Sequence, residues 1–282
     1  MNPIPIPNPV PVPSPAPVEV SVKKYSLIVE RGVAPEKVIN YSVSTPLLDN
    51  VDLRSKIPII YDQGNLDSCT ANALCCSFVF DNTTYRPSRL FLYYNERELD
   101  NNSSTLSQGI NALIKYGVCT ETSWSYDIHN FAVKPPTTAY TEGLLHKVLS
   151  ANRVQQTMSS MKGCLSSGFP FVVGIEIYSS FESTVATNTG YIPMPKTKTE
   201  QLLGGHAVIC VGYNDARGVW IMQNSWGTGW GDKGYFYLPY NYLLSPSLAG
   251  DMWQITKVRV ISSAQKIMMS KKLETTKYVK RK

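Results

Sequence analysis

The hydrophobic pattern of this chain changes period about halfway along, and that change limits the folds open to it. In 69–80, apolar residues at Ala73, Cys76 and Phe80 recur at helical spacing, and Asp67-Ser68 ahead of them offer capping groups. Residues 87–98, 109–116 (closed by Gly117) and 141–149 read as further helices. Gly163 and Cys164 precede a strand-like run at 169–177. Beyond it, 207–213, 219–224 and 235–238 are β-branched or aromatic, with glycine and Asn-Asp turns between them. Helices first and strands afterwards imply an α+β architecture with two lobes, not an alternating α/β sheet. No internal repeat is present. The body runs from about Val51 to Val260.

The flanks differ from the body. Prolines occupy every odd position from Pro3 to Pro17, eight of the chain's 19. Alternating X-Pro cannot donate a regular hydrogen-bond ladder, so 1–18 reads as an extended, exposed spacer, with a docking motif for a proline-reading partner as the alternative. Residues 19–50 carry two apolar stretches, 25–29 and 38–43, too short for a domain and in need of a larger surface. The chain has 27 basic and 21 acidic residues, net +6. Its end holds seven basic residues (Lys266, Lys271, Lys272, Lys277, Lys280, Arg281 and Lys282) against Glu274 alone, so the remainder is balanced. The charge therefore reports the tail, 261–282, which could meet an anionic partner, and argues against a nucleic-acid-binding body.

With 43% apolar and 17% charged residues, the chain is too apolar for disorder. No apolar run reaches the ~18–20 residues of a membrane span. Six cysteines are too few for a disulfide scaffold, and the adjacent Cys75 and Cys76 suit buried thiols. The start lacks the charged and apolar regions of a secretory signal. A reducing compartment, cytoplasmic or virion, is the expectation.

Chemistry concentrates at few positions. Cys69 falls in the first turn of an expected helix, where unpaired N–H groups and the dipole favour a thiolate. A free cysteine is also commonly a small buried apolar residue. Of His129, His146 and His206, the last stands out: Gly204-Gly205 clear space beside it and an apolar strand follows. His146 reads as an ordinary helix residue and His129 as a loop residue. A hairpin about 214–218 places His206 opposite residues near Asn224, within ~4.5–5.5 Å, so Asn224 can orient the ring. Gln63, six residues before Cys69, could donate to a developing oxyanion together with the Cys69 N–H. Taken singly, each has a plain reading: a core histidine, a turn asparagine, a solvated glutamine.

Together they form a pattern. Gln63-Gly64-x-x-x-Ser68-Cys69, Gly205-His206-Ala207-Val208 and Asn224-Ser225-Trp226-Gly227-Thr228-Gly229-Trp230-Gly231-x-x-Gly234-Tyr235 resemble the papain/cathepsin family of cysteine peptidases. His206 lies 137 residues after Cys69 and Asn224 lies 155 after, which matches that family's spacing. The resemblance covers about Val51 to Val260. It is closest in kind to short-leader forms of bacteria and giant DNA viruses, of the mimivirus cathepsin B-like type. It implies a two-lobed papain-like fold with a cleft between a helical lobe and an antiparallel β lobe. It also implies a thiol endopeptidase acting through a thioester on peptide or protein substrates, without cofactor or metal. Cys69 would be nucleophile, His206 base and later acid, and Asn224 its orienter. Gln63 would be an oxyanion donor and Trp226 a shield for the His206–Asn224 bond, while Gly205 and Gly109 would line the cleft. Acyl transfer or isopeptide cleavage on the same residues, or a silent binding protein, are the alternatives.

Three departures stand out. Leu66 occupies a position where secreted relatives carry a half-cystine. Leu106-Ser107-Gln108-Gly109 stands where relatives have Cys-Asn-Gly-Gly. The long helical pro-region of many relatives cannot fit before Val51, so 19–50 is expected to act as a compact intramolecular inhibitor of a zymogen.

Overall fold

Elements in chain order are β1 (Val38–Ile39), β2 (Asn50–Asp52), α1 (Cys69–Phe78), α2 (Arg89–Glu96), α3 (Leu106–Lys115), α4 (Thr137–Gly143), β3 (Lys147–Val154), α5 (Met158–Ser166), β4 (Phe171–Tyr178), α6 (Thr184–Thr189), β5 (Leu202–Asn214), β6 (Val219–Gln223), β7 (Tyr235–Pro239), α7 (Tyr240–Leu244) and β8 (Ala249–Arg259). They come from a computed structural model that describes residues 25–31, 38–39, 41, 47–57, 59–80, 84–97, 103–261 and 265. The expected proline spacer, and the basic tail apart from Ile261 and Gln265, lie outside the described residues.

All ten residues of α1 are buried. The helix packs against α2 and α3 on one side and β5 on the other. A helix covered all round needs no polar face, which is why small and apolar residues dominate it. Helix α3 begins three residues earlier than its apolar spacing suggests. Thr105 Oγ1 accepts from the Gln108 N–H at 3.1 Å and Gln108 Oε1 accepts from the Thr105 N–H at 2.7 Å, a reciprocal cap that starts the helix.

The strands form one sheet in the order β1-β3-β8-β4-β5-β6-β7, with β2 paired to β5. Every pairing among them is antiparallel except β1 with β3. Helices early and a largely antiparallel sheet later give the expected α+β, two-lobed arrangement. The expected helix over 141–149 is corrected. The helix is α4, ending at Gly143, and the chain then enters β3, paired with β8 so that Ala151 faces Ile255. A partner about a hundred residues further on outweighs local helical propensity there. His146 sits in the connection, 2% exposed, with Nδ1 accepting from the Ile261 N–H at 3.2 Å. Helix α5 and strand β8 had no counterpart in the sequence reading. Among the described residues, no helix is long and apolar enough to cross a membrane.

Candidate active site

Cys69 is the first residue of α1 and only 1% exposed. Ser68 precedes it at the N-cap position, but its hydroxyl makes no cap bond. It accepts from Asn72 Nδ2 at 3.0 Å and meets the Tyr126 hydroxyl at 2.5 Å instead. Burial pushes the Cys69 thiol up to about 12, while the backbone N–H groups of Ala207 and Thr70 pull the other way. Ala207 is on β5, so the thiol lies where α1 meets that strand, beside His206.

His206 is fully buried on β5. Its Nε2 is 2.9 Å from Asn224 Oδ1. The Ser225 N–H donates to that same oxygen at 2.8 Å, which fixes the amide with Oδ1 toward the ring. An acceptor at Nε2 requires Nε2–H, so Nδ1 is the basic nitrogen of the neutral ring. The hairpin expectation was sound: β5 pairs with β6 in a register that faces Ile209 to Gln223, and Asn224 follows directly. The Trp226 ring lies 5.0 Å from the His206 ring at 30°. Phe181 and Trp230 pack behind it, at 5.7 and 4.9 Å between centroids.

Gln63 is 1% exposed and reaches the same place. Its N–H donates to the Ser225 carbonyl at 2.8 Å, and Asp62 bridges Trp226, so the loop before α1 is laced to the loop after β6. Its Oε1 accepts from Ser225 Oγ at 2.6 Å, and its Nε2 donates to the Leu66 carbonyl at 3.0 Å. An amide nitrogen carries two N–H groups, so one is left for a ligand. Ser225 was missed in the sequence reading, although it lies inside the Asn-Ser-Trp-Gly run.

The two glycines separate. A Cβ on Gly205 would come 2.2 Å from the Leu27 carbonyl oxygen, because residues 25–31 cross the site there. Ser26 bridges Gly205 on the β lobe, and Leu27 bridges Ser104 just ahead of α3. The Ile28 N–H donates to the Ser104 carbonyl at 3.1 Å. Leu27 and Val29 are buried, and the Tyr25 ring stands edge-on to His206 at 6.0 Å. Ion pairs Arg153–Glu30 and Arg31–Glu176, both 2.5 Å, fasten the end of the segment. Gly109, by contrast, is buried inside α3, where a Cβ would come 2.2 Å from Leu74 Cδ1 and 2.5 Å from Glu96 Oε2. It serves helix packing, and Ser104 is the residue that meets the chain in the cleft.

Glu96 is buried behind Cys69, with its carboxyl bonded to the Thr70 hydroxyl, which also meets Ser104 Oγ at 2.7 Å. Burial raises this carboxyl from 4.5 to about 8. The folded state therefore keeps a proton that the unfolded chain gives up near 4.5. The associated stability is complete below that value and is lost as pH rises through about 8. Glu96→Gln should abolish this loss. Thermal melts of both proteins should diverge progressively from pH 5 to 8, with the variant the more stable by on the order of a few kcal/mol at the upper end. Parallel curves would show that Glu96 ionises normally.

A buried thiol at a helix N-terminus, next to the strand that carries an amide-held imidazole, is an arrangement found in thiol hydrolases. Comparison with known proteins narrows it. Residues 93–246 match the papain family cysteine protease model. An uncharacterized peptidase C1-like protein of Acanthamoeba polyphaga mimivirus is 43% identical over 216 residues, 70% of this chain and 69% of that one. Cysteine proteinase 1 of Entamoeba histolytica is 28% identical over 64% of this chain and 60% of its own length. The solved structure of xylellain, a cysteine protease from Xylella fastidiosa, superposes with a TM-score of 0.73 at 33% identity, over 85% of this chain and 98% of that one. The chain belongs to the papain family of cysteine proteases. It is accordingly a thiol protease with the two-lobed papain-like fold.

Proposed function

We propose that the protein is a cysteine endopeptidase, made as a zymogen, in which Cys69, His206 and Asn224 act as a triad. The observation that carries the reading is the 2.9 Å His206–Asn224 bond beneath Trp226, with Cys69 at the α1 terminus beside it. Cys69 loses its proton to His206 and attacks the amide carbonyl. Oxygen charge builds near the Cys69 N–H and Gln63 Nε2. His206 protonates the leaving amine, and water then hydrolyses the thioester. Asn224 holds the ring in the tautomer that leaves Nδ1 to work.

The zymogen part of the reading is supported by residues 25–31, which run against Ser104 and Gly205 and cover the site. The segment therefore blocks access to Cys69, whose burial also raises its thiol. Covalent labelling by an epoxysuccinyl inhibitor tests the whole proposal. Label on Cys69, lost in Cys69→Ala, is the expected outcome; label elsewhere or none after removal of the segment would refute it.

The preference for internal bonds rests on the histidines. Holding a C-terminal carboxylate in the manner of cathepsin B takes adjacent histidines on an inserted loop. No two histidines are adjacent in this sequence, and His129 lies exposed in a single 3-10 turn, Ile128–Asn130. Digestion of a protein with an amidated C-terminus should yield internal fragments at the same rate as the free acid. Release of C-terminal dipeptides alone would overturn the assignment.

A further inference from the structure

Arg89 is in the wrong place for a helix. It is the first residue of α2, where the dipole disfavours a cation, and it is 8% exposed. Residues that break a local rule without local compensation tend to serve a site. Its guanidinium lies between two aromatic rings, 4.2 Å from the Tyr61 centroid and 3.8 Å from that of Tyr126. Glu121 balances its charge at 2.6 Å. The Nη1 group donates at 3.1 Å to both the Asp62 carbonyl and Asn72 Oδ1.

Both acceptors lead to the reaction centre. Asp62 adjoins Gln63. Asn72, one turn into α1, donates from Nδ2 to the Ser68 carbonyl at 2.8 Å, and Ser68 adjoins Cys69. Tyr126, stacked on the guanidinium, donates its hydroxyl to the Gln63 carbonyl at 2.9 Å. That hydroxyl has one proton, so its 2.5 Å contact with Ser68 Oγ runs from serine to tyrosine. One planar cation thus ties the loop bearing Gln63 to the turn bearing Cys69, by two independent routes.

We propose that Arg89 is the positioning residue of the oxyanion site, setting the Gln63 amide at a fixed distance from the Cys69 N–H. The proposal rests on the peptidase reading above. Oxyanion donors act only when held to tenths of an ångström, and a lysine, with a point charge and no planar fork, cannot stack and bond in two directions at once. The bonds from Arg89 end on Asp62 and Asn72 and none reaches Cys69 itself, so the proposal places its effect on the oxyanion donors.

The test compares the full chain, once its activity is constant, with Arg89→Lys, Gln63→Ala and the double variant. Arg89→Lys should lower kcat about tenfold or more, with KM held within about twofold and the acid limb of the pH profile unmoved. Alkylation of Cys69 by iodoacetamide, read by mass, should stay within about twofold of wild type, since it builds no oxyanion. The double variant should be no slower than Gln63→Ala. Multiplying losses, or kcat and alkylation falling together, would overturn the proposal, as would an unchanged kcat. Should Arg89→Lys not fold, Tyr126→Phe keeps the ring under the guanidinium and deletes only the hydroxyl, with its bonds to the Gln63 carbonyl and to Ser68 Oγ, and the same outcomes apply. Turnover that survives Cys69→Ala would instead defeat the peptidase reading, whatever Arg89 does.

Discussion

Cys69→Ala should lower peptide turnover by on the order of 10⁴-fold or more, and His206→Ala by a similar factor. The two act as one unit, so the double variant should be hardly worse than either alone. Asn224→Ala should cost less, about 10- to 100-fold, because it orients the ring and takes no part in bond-making. In the proposed site the Trp226 ring, 5.0 Å from that of His206, shields the His206–Asn224 bond, which would limit how far a solvent molecule can take over from the lost amide. Activity against pH should be bell-shaped, since a thiolate and an imidazolium must coexist and the pair titrates together. Single-turnover rates on a small peptide substrate check all of this. Near-native activity in Cys69→Ala, or an Asn224→Ala loss as deep as that of His206→Ala, would break the assigned roles.

The parts of this site that were legible in the sequence are those whose geometry is local. Asn224, Ser225 and Trp226 are consecutive, and a five-residue turn is enough to bring His206 near Asn224. Gln63 and Cys69 share one short loop. What was illegible depends on partners far along the chain. Ser104 faces the cleft because it pairs with Leu27 across 77 residues. The 141–149 stretch ends in strand, from Lys147 on, because β8 is there to receive it. Nothing in the sequence marks Arg89, and only the fold brings Tyr61, Tyr126, Glu121 and Asn72 around it. Gly109 misled for the opposite reason. A glycine near a family motif suggests a cleft contact, whereas here it clears room for Leu74 and Glu96.

A chain beginning at Thr45 should hydrolyse a small peptide at once, while the full chain starts about a hundredfold slower and accelerates as it is cut. The factor follows from tethering. A segment that binds in trans with a Kd on the order of 10 µM, held at an effective concentration on the order of 1 mM, leaves about one cleft in a hundred open. The anchors can be ranked. Burying Leu27 and Val29 contributes about 1.5–3 kcal/mol each, whereas part-exposed pairs such as Arg31–Glu176 contribute about 0–1 kcal/mol. Leu27→Asp should therefore shorten the lag far more than Arg31→Ala, and added salt should change it little. The peptide 19–50 supplied in trans should slow the shortened chain, and its Leu27→Asp version should not. Reaction traces over the first minutes decide the matter. Equal initial rates for full and shortened chains, with no lag and the full chain left uncut, would mean that residues 25–31 do not guard the cleft. A lag abolished by salt or by Arg31→Ala, and untouched by Leu27→Asp, would put the latch in the ion pairs and not in the apolar anchors.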